Sequence, residues 1–368
     1  MANSIILRDN VDILEDRIPR ELLSILLKDH TTGKNILWAT DIGHKEKSPI
    51  KLSDIIGENG LVLRPRVRKS EEEKKLRTKK RAEVFTPSWA CNEQLNAVDT
   101  LWFYDKAIPA SGSPFNKVSG QTWRTLSLAS LRRVFEKTGK DWKQYVLEDK
   151  IEMCCGEGPY LVSRYDVVTE REIPVCDRIG ILDRKLRVVN AFVGPGSGES
   201  KEVWTEWIIN AFKHTYGFEW QGDNLLLTRE AVLFTFIDNL KEYNLTDAIA
   251  KGEKQSKIKS KTSIWRLDLD CLNIDDFERI KTICEVISWN FWQMDGLTGC
   301  TPYVVPTMDL KKVVSSINRE RDGKLFDESR FKVPREFCKI MDWQENKVVT
   351  YAEVYADAIK SKSKSKSI

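Results

Sequence analysis

The chain has 368 residues, of which 31% are charged and 41% hydrophobic, and a formal net charge of +4. That length suits one large α/β core with an added segment, and no apolar run approaches the ~18 residues of a membrane-spanning helix. The N-terminus, MANSIILRDNVDILEDR, has acids near its start and no basic region followed by an apolar core, so a cytoplasmic protein without a secretory signal is expected. Eight cysteines with no CxxC point to reduced thiols and no metal site.

In chain order, Asn10 to Leu27 reads as one or two helices and Asn35 to Thr40 as a short buried strand ending at Asp41. A turn-rich stretch through Gly57 and Gly60 leads to a basic helix within Arg64 to Arg81, RPRVRKSEEEKKLRTKKR. This run and a second one, Lys251 to Lys261, fit phosphate-neutralising patches and equally fit a solvated helix and loop. Trp142 to Leu147 and a polar turn lead into Ile151. The spacing of Trp204, Trp207, Ile208, Ala211 and Phe212 predicts a helix packed on a sheet, and further helices are expected over Leu225 to Leu240 and Phe277 to Ser288. Trp289 to Leu297 reads as a strand ending at an acid and a glycine, and Phe337 to Met341 as a last apolar strand ending at Asp342. Lys360 to Ser367, KSKSKSKS, has the composition of a disordered tail. The expected domains are an N-terminal segment with the basic helix (1–80), an α/β domain (81–351) and a disordered Lys/Ser tail (352–368).

Two stretches carry the most chemistry: IEMCCGEGPY (Ile151 to Tyr160) and YGFEWQGDNLL (Tyr216 to Leu226). Each reads as a strand that stops at an acid and a glycine, the arrangement by which α/β sheets hold nucleotide-like ligands. Gly156 and Gly158 would let backbone amides come close to a ligand. The carboxylate of Glu219 can accept hydrogen bonds from both hydroxyls of a ribose, so an adenosine cofactor is expected.

The segment VFTPSW (Val84 to Trp89) resembles the Phe-Thr-Pro motif of adenine-N6 DNA methyltransferases from restriction-modification systems. In ILWATD, GEGPYLVSRYD, RIGILDRKLRVVN, WNFWQMDGL and KIMDWQENK the chain is similar to proteins labelled restriction endonuclease subunit M. The resemblance implies a Rossmann-like, S-adenosylmethionine-dependent methyltransferase fold with an added N-terminal segment. It implies DNA as a partner, together with a restriction endonuclease or specificity subunit. By the same resemblance Phe85 would pack on the cofactor adenine, Thr86 would meet its carboxylate, and Pro87 would fix the turn. Glu152 would bind its amino group beside Gly156 and Gly158, Glu219 its ribose, and Asp295 its adenine amine, with Met294 or Phe291 against the ring.

Catalysis is where the resemblance thins. The amine of adenine is a poor nucleophile, and the family draws it toward tetrahedral geometry with Asn or Asp followed by Pro-Pro and an aromatic. That tetrapeptide is absent. Asp342 with Trp343 pairs an acceptor with a stacking ring and is the favoured catalytic candidate; CTPY (Cys300 to Tyr303) has the proline and aromatic but no acid. A catalytically inactive cofactor- and DNA-binding subunit of a restriction or anti-restriction complex is the alternative, and methylation of RNA or a small molecule remains open. The histidines His30, His44 and His214 have no partner at metal or triad spacing and read as surface or capping residues. Most of the twelve tryptophans read as core.

Overall fold

The computed structural model describes residues 18–38, 47–56, 63, 65, 69–81, 86–104, 113–166, 168–169, 171–250, 274–321 and 333–365. Residues 10–17 of the first expected helix, Thr40, Asp41, Gly57, Gly60, Phe85, residues 251–261 and residues 366–368 lie outside them. Helix α1 (Arg20–Leu27) buries Leu22, Leu23, Leu26 and Leu27 along one stripe. The stretch expected as a strand after it makes isolated antiparallel bridges, Lys28 to Asn35 and Leu37 to Pro49. Then come α2 (Glu71–Arg81), within the basic run, and α3 (Ser88–Phe103), which has Pro87 at its N-cap. Strands β1 (Asn116–Ser119) and β2 (Thr122–Thr125) form an antiparallel hairpin. Helix α4 (Leu128–Thr138) starts where Ser127 Oγ accepts from the Ser130 amide at 3.2 Å and stops at Gly139, φ 63°. Helix α5 (Trp142–Leu147) precedes the main sheet.

That sheet is parallel and runs β3 (Lys150–Met153), β4 (Thr215–Glu219), β5 (Phe291–Gln293), in that spatial order. The register sets Ile151 beside Tyr216, Met153 beside Phe218, and Glu219 beside Gln293. Between β3 and β4 lie α6 (Ile181–Val193) and α7 (Lys201–Lys213); between β4 and β5 lie α8 (Gly222–Ala250) and α9 (Ile274–Asn290). Helical crossovers are what parallel neighbours require. In α7 the spaced apolar positions Trp204, Ile208, Ala211 and Phe212 are the buried ones, as their periodicity predicts. The first nine residues of α8, Gly222 to Glu230, are buried on every side, which makes it the central helix of the core.

The described part of the expected N-terminal segment belongs to this same core. Arg229, fully buried on α8, donates from Nε to Phe291 O at 2.8 Å, from Nη2 to Ser288 O at 3.1 Å, and from Nη1 to Lys28 O at 3.0 Å and to Leu26 O. One side chain thereby ties α1 to the entry of β5. Gln293 repeats the link further along: its Oε1 accepts from the Leu37 amide at 2.6 Å and its Nε2 donates to Leu37 O at 2.9 Å.

After α10 (Leu310–Arg321), the last apolar strand does not join the parallel sheet. Strand β6 (Lys339–Asp342) instead pairs antiparallel with β7 (Lys347–Thr350), and this hairpin lays Cys338, Ile340 and Val349 over Phe218, Trp292 and Met294. The chain then continues as α11 (Tyr351–Ser365), where a disordered tail was expected. The reason lies in Ala352 and Ala356, spaced by one helical turn and both fully buried beside Val313 and Ile317 of α10.

Candidate functional site

The carboxyl ends of β3 and β4 meet at the glycine loop. The Cys155 amide donates to Phe218 O at 2.9 Å, and Cys154, Gly156 and Gly158 all take positive φ, of 58°, 57° and 79°. A side chain at Gly158 would also press the Thr228 methyl at 3.2 Å. The Thr228 hydroxyl donates to Gly156 O at 2.6 Å, fixing the loop against α8. Glu219 lies at the end of β4 with only 6% exposure. Its Oε2 accepts from the Gly156 amide at 2.8 Å and its Oε1 from the Gln221 amide at 3.0 Å. Residues 63 positions apart therefore share one bond. Burial raises the Glu219 pKa, the amides of Gln221 and Gly156 oppose the rise, and nearby Asp223 adds to it. The Trp220 amide also opposes the rise, and the carboxylate retains acceptor capacity beyond these amides.

Asp295 joins the same edge. The Met294 amide donates to Glu219 O at 3.0 Å, and Asp295, the next residue, is half-buried with Oδ1 accepting from the Leu297 amide at 2.9 Å. Glu152 sits two residues before the loop, on the face of β3 opposite Ile151 and Met153. It is half-buried, and burial pushes its pKa up to about 7. Among the described residues its carboxyl has no hydrogen bond and no cation. Around it lie Cys91 of α3 and Tyr160, whose hydroxyl donates to Gln94 Oε1 at 2.6 Å and also bonds Thr86. Ser88, which follows Pro87, donates its amide to Asp166 at 2.7 Å. A cavity of about 630 Å³ begins at Pro87 and Asp166 and is walled by Trp89 and Trp123. Of the expected cofactor residues, Glu152, Gly156, Gly158, Glu219 and Asp295 lie at this end of the sheet and Thr86 reaches it through Tyr160; Pro87 is the one that lines the 630 Å³ cavity, and Phe85 lies outside the described residues.

Lys69, Arg77 and Trp220 of this edge were not singled out in the sequence, whereas Tyr303 belongs to the CTPY candidate. Lys69 reaches Glu157 in the glycine loop at 3.2 Å, both side chains almost fully buried. Arg77 of α2 pairs with Asp223 at 2.9 Å and donates to Gln221 Oε1 and Asn224 Oδ1 at 3.2 and 3.0 Å. The basic run thus turns two of its cations inward, onto the loop and onto the start of α8. Trp220 meets Tyr303 edge-on, with ring centroids 5.4 Å apart. Tyr303 has φ 66°, costly for a bulky residue, and Lys47 Nζ lies 4.8 Å from its ring.

The two catalytic candidates separate. CTPY comes to the carboxyl edge through Tyr303. Asp342 and Trp343 stand at the amino ends of the strands, with β4, on the order of 13 Å long, between them and the loop. Asp342 Oδ1 accepts from the Gln344 and Glu345 amides at 3.1 and 3.0 Å, which makes it the cap of the β6–β7 turn. Trp343 Nε1 donates to Asn290 Oδ1 at 2.7 Å, while Asn290 Nδ2 donates to Phe212, Lys213 and Thr215 carbonyls at the start of β4. Both line a different cavity, of about 550 Å³, with Asp149, Tyr216 and Trp292.

His44 lies outside the described residues, while His30 and His214 are held by the fold, through Ser288 and Asp149. His30 stacks on Trp289 at 3.6 Å, and burial, with Arg229 nearby, pushes its pKa down to about 3. His214 Nδ1 lies 2.7 Å from Asp149. No described helix is long and apolar enough to cross a membrane, and among the described residues no three His, Cys, Asp or Glu side chains converge as metal ligands. No protein family, no curated protein and no solved structure matches this chain.

Proposed function

We propose that this chain binds S-adenosylmethionine at the carboxyl edge of a Rossmann-like sheet and presents it to DNA as an adenine-N6 methyltransferase of a restriction-modification system. The observation that carries the reading is the meeting of two carboxylates with the glycine loop. Glu219 is locked to the Gly156 amide, and Glu152 is half-buried with no counter-ion among the described residues. A carboxylate left this way gains most from a ligand that brings a cation. S-adenosylmethionine supplies an ammonium group, two ribose hydroxyls and an activated methyl. Glu152 would pair with the ammonium, Glu219 would accept from the hydroxyls, and Asp295 would accept from the adenine amine. Gly156 and Gly158 would keep the backbone low beneath the ligand, and Thr86, fixed through Tyr160, would bound the methionine end.

A second reading, in which the chain binds the cofactor and DNA without transferring the methyl, is favoured by one observation. Asp342 and Trp343 are used by the β6–β7 hairpin at the other edge of the sheet. The acceptor oxygen for the target amine would then come from a restriction endonuclease or specificity subunit. Incubation with methyl-labelled cofactor and DNA separates the readings. Label in DNA that disappears in Glu219→Ala supports the enzyme; saturable cofactor binding without label supports the subunit; absence of both binding and transfer overturns both.

A further inference from the structure

The carboxylate of Asp183, in the first turn of α6, is bound through one oxygen only. The residue is 6% exposed, and its Oδ2 accepts from the Ser163 amide at 2.8 Å, the Ser163 hydroxyl at 3.1 Å and the Gly180 amide at 2.9 Å. Its Oδ1 is buried and has no hydrogen-bond partner. Asp183 lines a cavity of about 250 Å³ together with Arg187, Glu242, Leu128 and Val175. With Oδ2 committed to Ser163 and Gly180, Oδ1 is the oxygen left to that cavity, and an unmatched carboxylate oxygen there is costly.

The same cavity faces unpaired charges of both signs. Arg187 donates from Nη1 to Cys176 O at 2.6 Å and from Nη2 to Leu126 O, two neutral carbonyls, and forms no ion pair among the described residues. Glu242, on α8, is exposed at the mouth and has no hydrogen bond or ion pair among the described residues. The other charges nearby are engaged. Arg178 and Arg164 hold Asp238 at 2.7 and 3.0 Å, and Asp177 Oδ1 accepts from Thr125 at 2.9 Å. Arg178 Nη1 is itself buried without a partner. A water would satisfy Oδ1 but would leave the charges of Asp183, Glu242 and Arg187 without a counter-charge.

We propose that this cavity binds a small α-amino acid as its zwitterion, the ammonium donating to Asp183 Oδ1 and Glu242 and the carboxylate accepting from Arg187. An ammonium only donates hydrogen bonds and a carboxylate only accepts them, so one ligand answers both deficits. The volume falls just below the ~300–1,000 Å³ of drug-sized sites and suits a ligand of few atoms, with Leu128 and Val175 against a short apolar side chain. The inference does not depend on the cofactor reading, because the cavity shares no residue with Glu152, the glycine loop, Glu219 or Asp295.

The test is calorimetric titration of the full chain with glycine, L-alanine and L-valine, with propionate, which lacks the ammonium, and with ethylamine, which lacks the carboxylate. The tightest of the three amino acids should saturate with a Kd of about 1 mM or lower, at least about tenfold tighter than either fragment. Asp183→Asn should weaken it roughly tenfold or more. The amide oxygen of that variant can keep the Ser163 and Gly180 bonds, which turns the NH2 group toward the ligand ammonium. Propionate should bind the variant no more weakly than the parent, because an amide donates to a carboxylate. Glu242→Gln should cost about threefold, and Glu219→Ala should leave the amino-acid affinity unchanged. Circular dichroism and urea unfolding establish that each variant is folded. If Asp183→Asn does not fold, an unchanged affinity in Glu242→Gln overturns the inference. No saturable binding of any of the three amino acids to the parent overturns it and leaves water as the occupant. A fragment that binds as tightly as the amino acid, or an unchanged affinity in folded Asp183→Asn, also overturns it. So does loss of amino-acid binding in folded Glu219→Ala, which would place the amino acid at the cofactor edge.

Discussion

Replacing Glu152 with glutamine removes a charge that the fold holds at a cost while keeping the size of the side chain. Burial moves its pKa from 4.5 to about 7. At about 1.36 kcal/mol per unit the full effect would be roughly 3.4 kcal/mol, and partial solvation of a half-buried group reduces this to about 1–2 kcal/mol. The sign follows from protonation. Below the unfolded value of 4.5 both states carry the neutral acid and the penalty is absent. As pH rises toward about 7 the unfolded chain ionises first, so the folded state loses relative stability, and above about 7 the loss is complete. Urea unfolding should show parent and Glu152→Gln nearly equal at about pH 4, and the variant more stable by about 1–2 kcal/mol at about pH 8. The same variant should bind S-adenosylmethionine more weakly, since the ammonium would lose its carboxylate. Equal stabilities at both pH values, or a variant less stable at the higher one, would refute the reasoning.

Four further substitutions test other parts of the account. Gly222→Ala drives a Cβ against Leu37 O, so it should destabilise by about 1–3 kcal/mol or more in urea unfolding. Gly158→Ala combines a φ of 79° with the Thr228 contact and should weaken cofactor binding more than it lowers stability. Arg229→Met strands the carbonyls of Leu26, Lys28, Ser288 and Phe291, and a loss of about 3 kcal/mol or more is expected. Asp342→Ala removes a turn cap and should cost only about 1 kcal/mol, with cofactor affinity unchanged in calorimetry. A large loss of affinity in that variant would place the ligand at the other edge.

The helices around the sheet were legible because their apolar residues repeat at helical spacing, as in Trp204, Ile208, Ala211 and Phe212. The strands were legible from their ends: the acid and glycine after Ile151 and after Phe218 mark where β3 and β4 stop, and these ends do converge. The partner of the last strand was not legible. An apolar run ending at Asp342 has the same pattern in a parallel sheet and in a hairpin, and only the contacts of Ile340 with Phe218 and Trp292 decide it. A charge run likewise does not say which of its cations turn inward. Lys69 and Arg77 do so because Glu157 and Asp223, distant in sequence, are buried and need them. The Lys/Ser composition after Lys360 concealed a helix whose anchors, Ala352 and Ala356, precede it. Tyr303 was legible as the aromatic of CTPY, but its contact with Trp220 was not.

The central claim is that the glycine loop, Glu152 and Glu219 form a site for a cationic adenosyl ligand. Titrating the protein with S-adenosylmethionine at about pH 7, in two buffers of different ionisation enthalpy, tests it most directly. The account predicts one saturable site per chain, abolished or strongly weakened by Glu219→Ala. It also predicts release of protons approaching about one half per site, because Glu152 is about half protonated at that pH and ionises as it meets the ammonium. Absence of saturable binding, or binding that Glu219→Ala leaves intact, would contradict it.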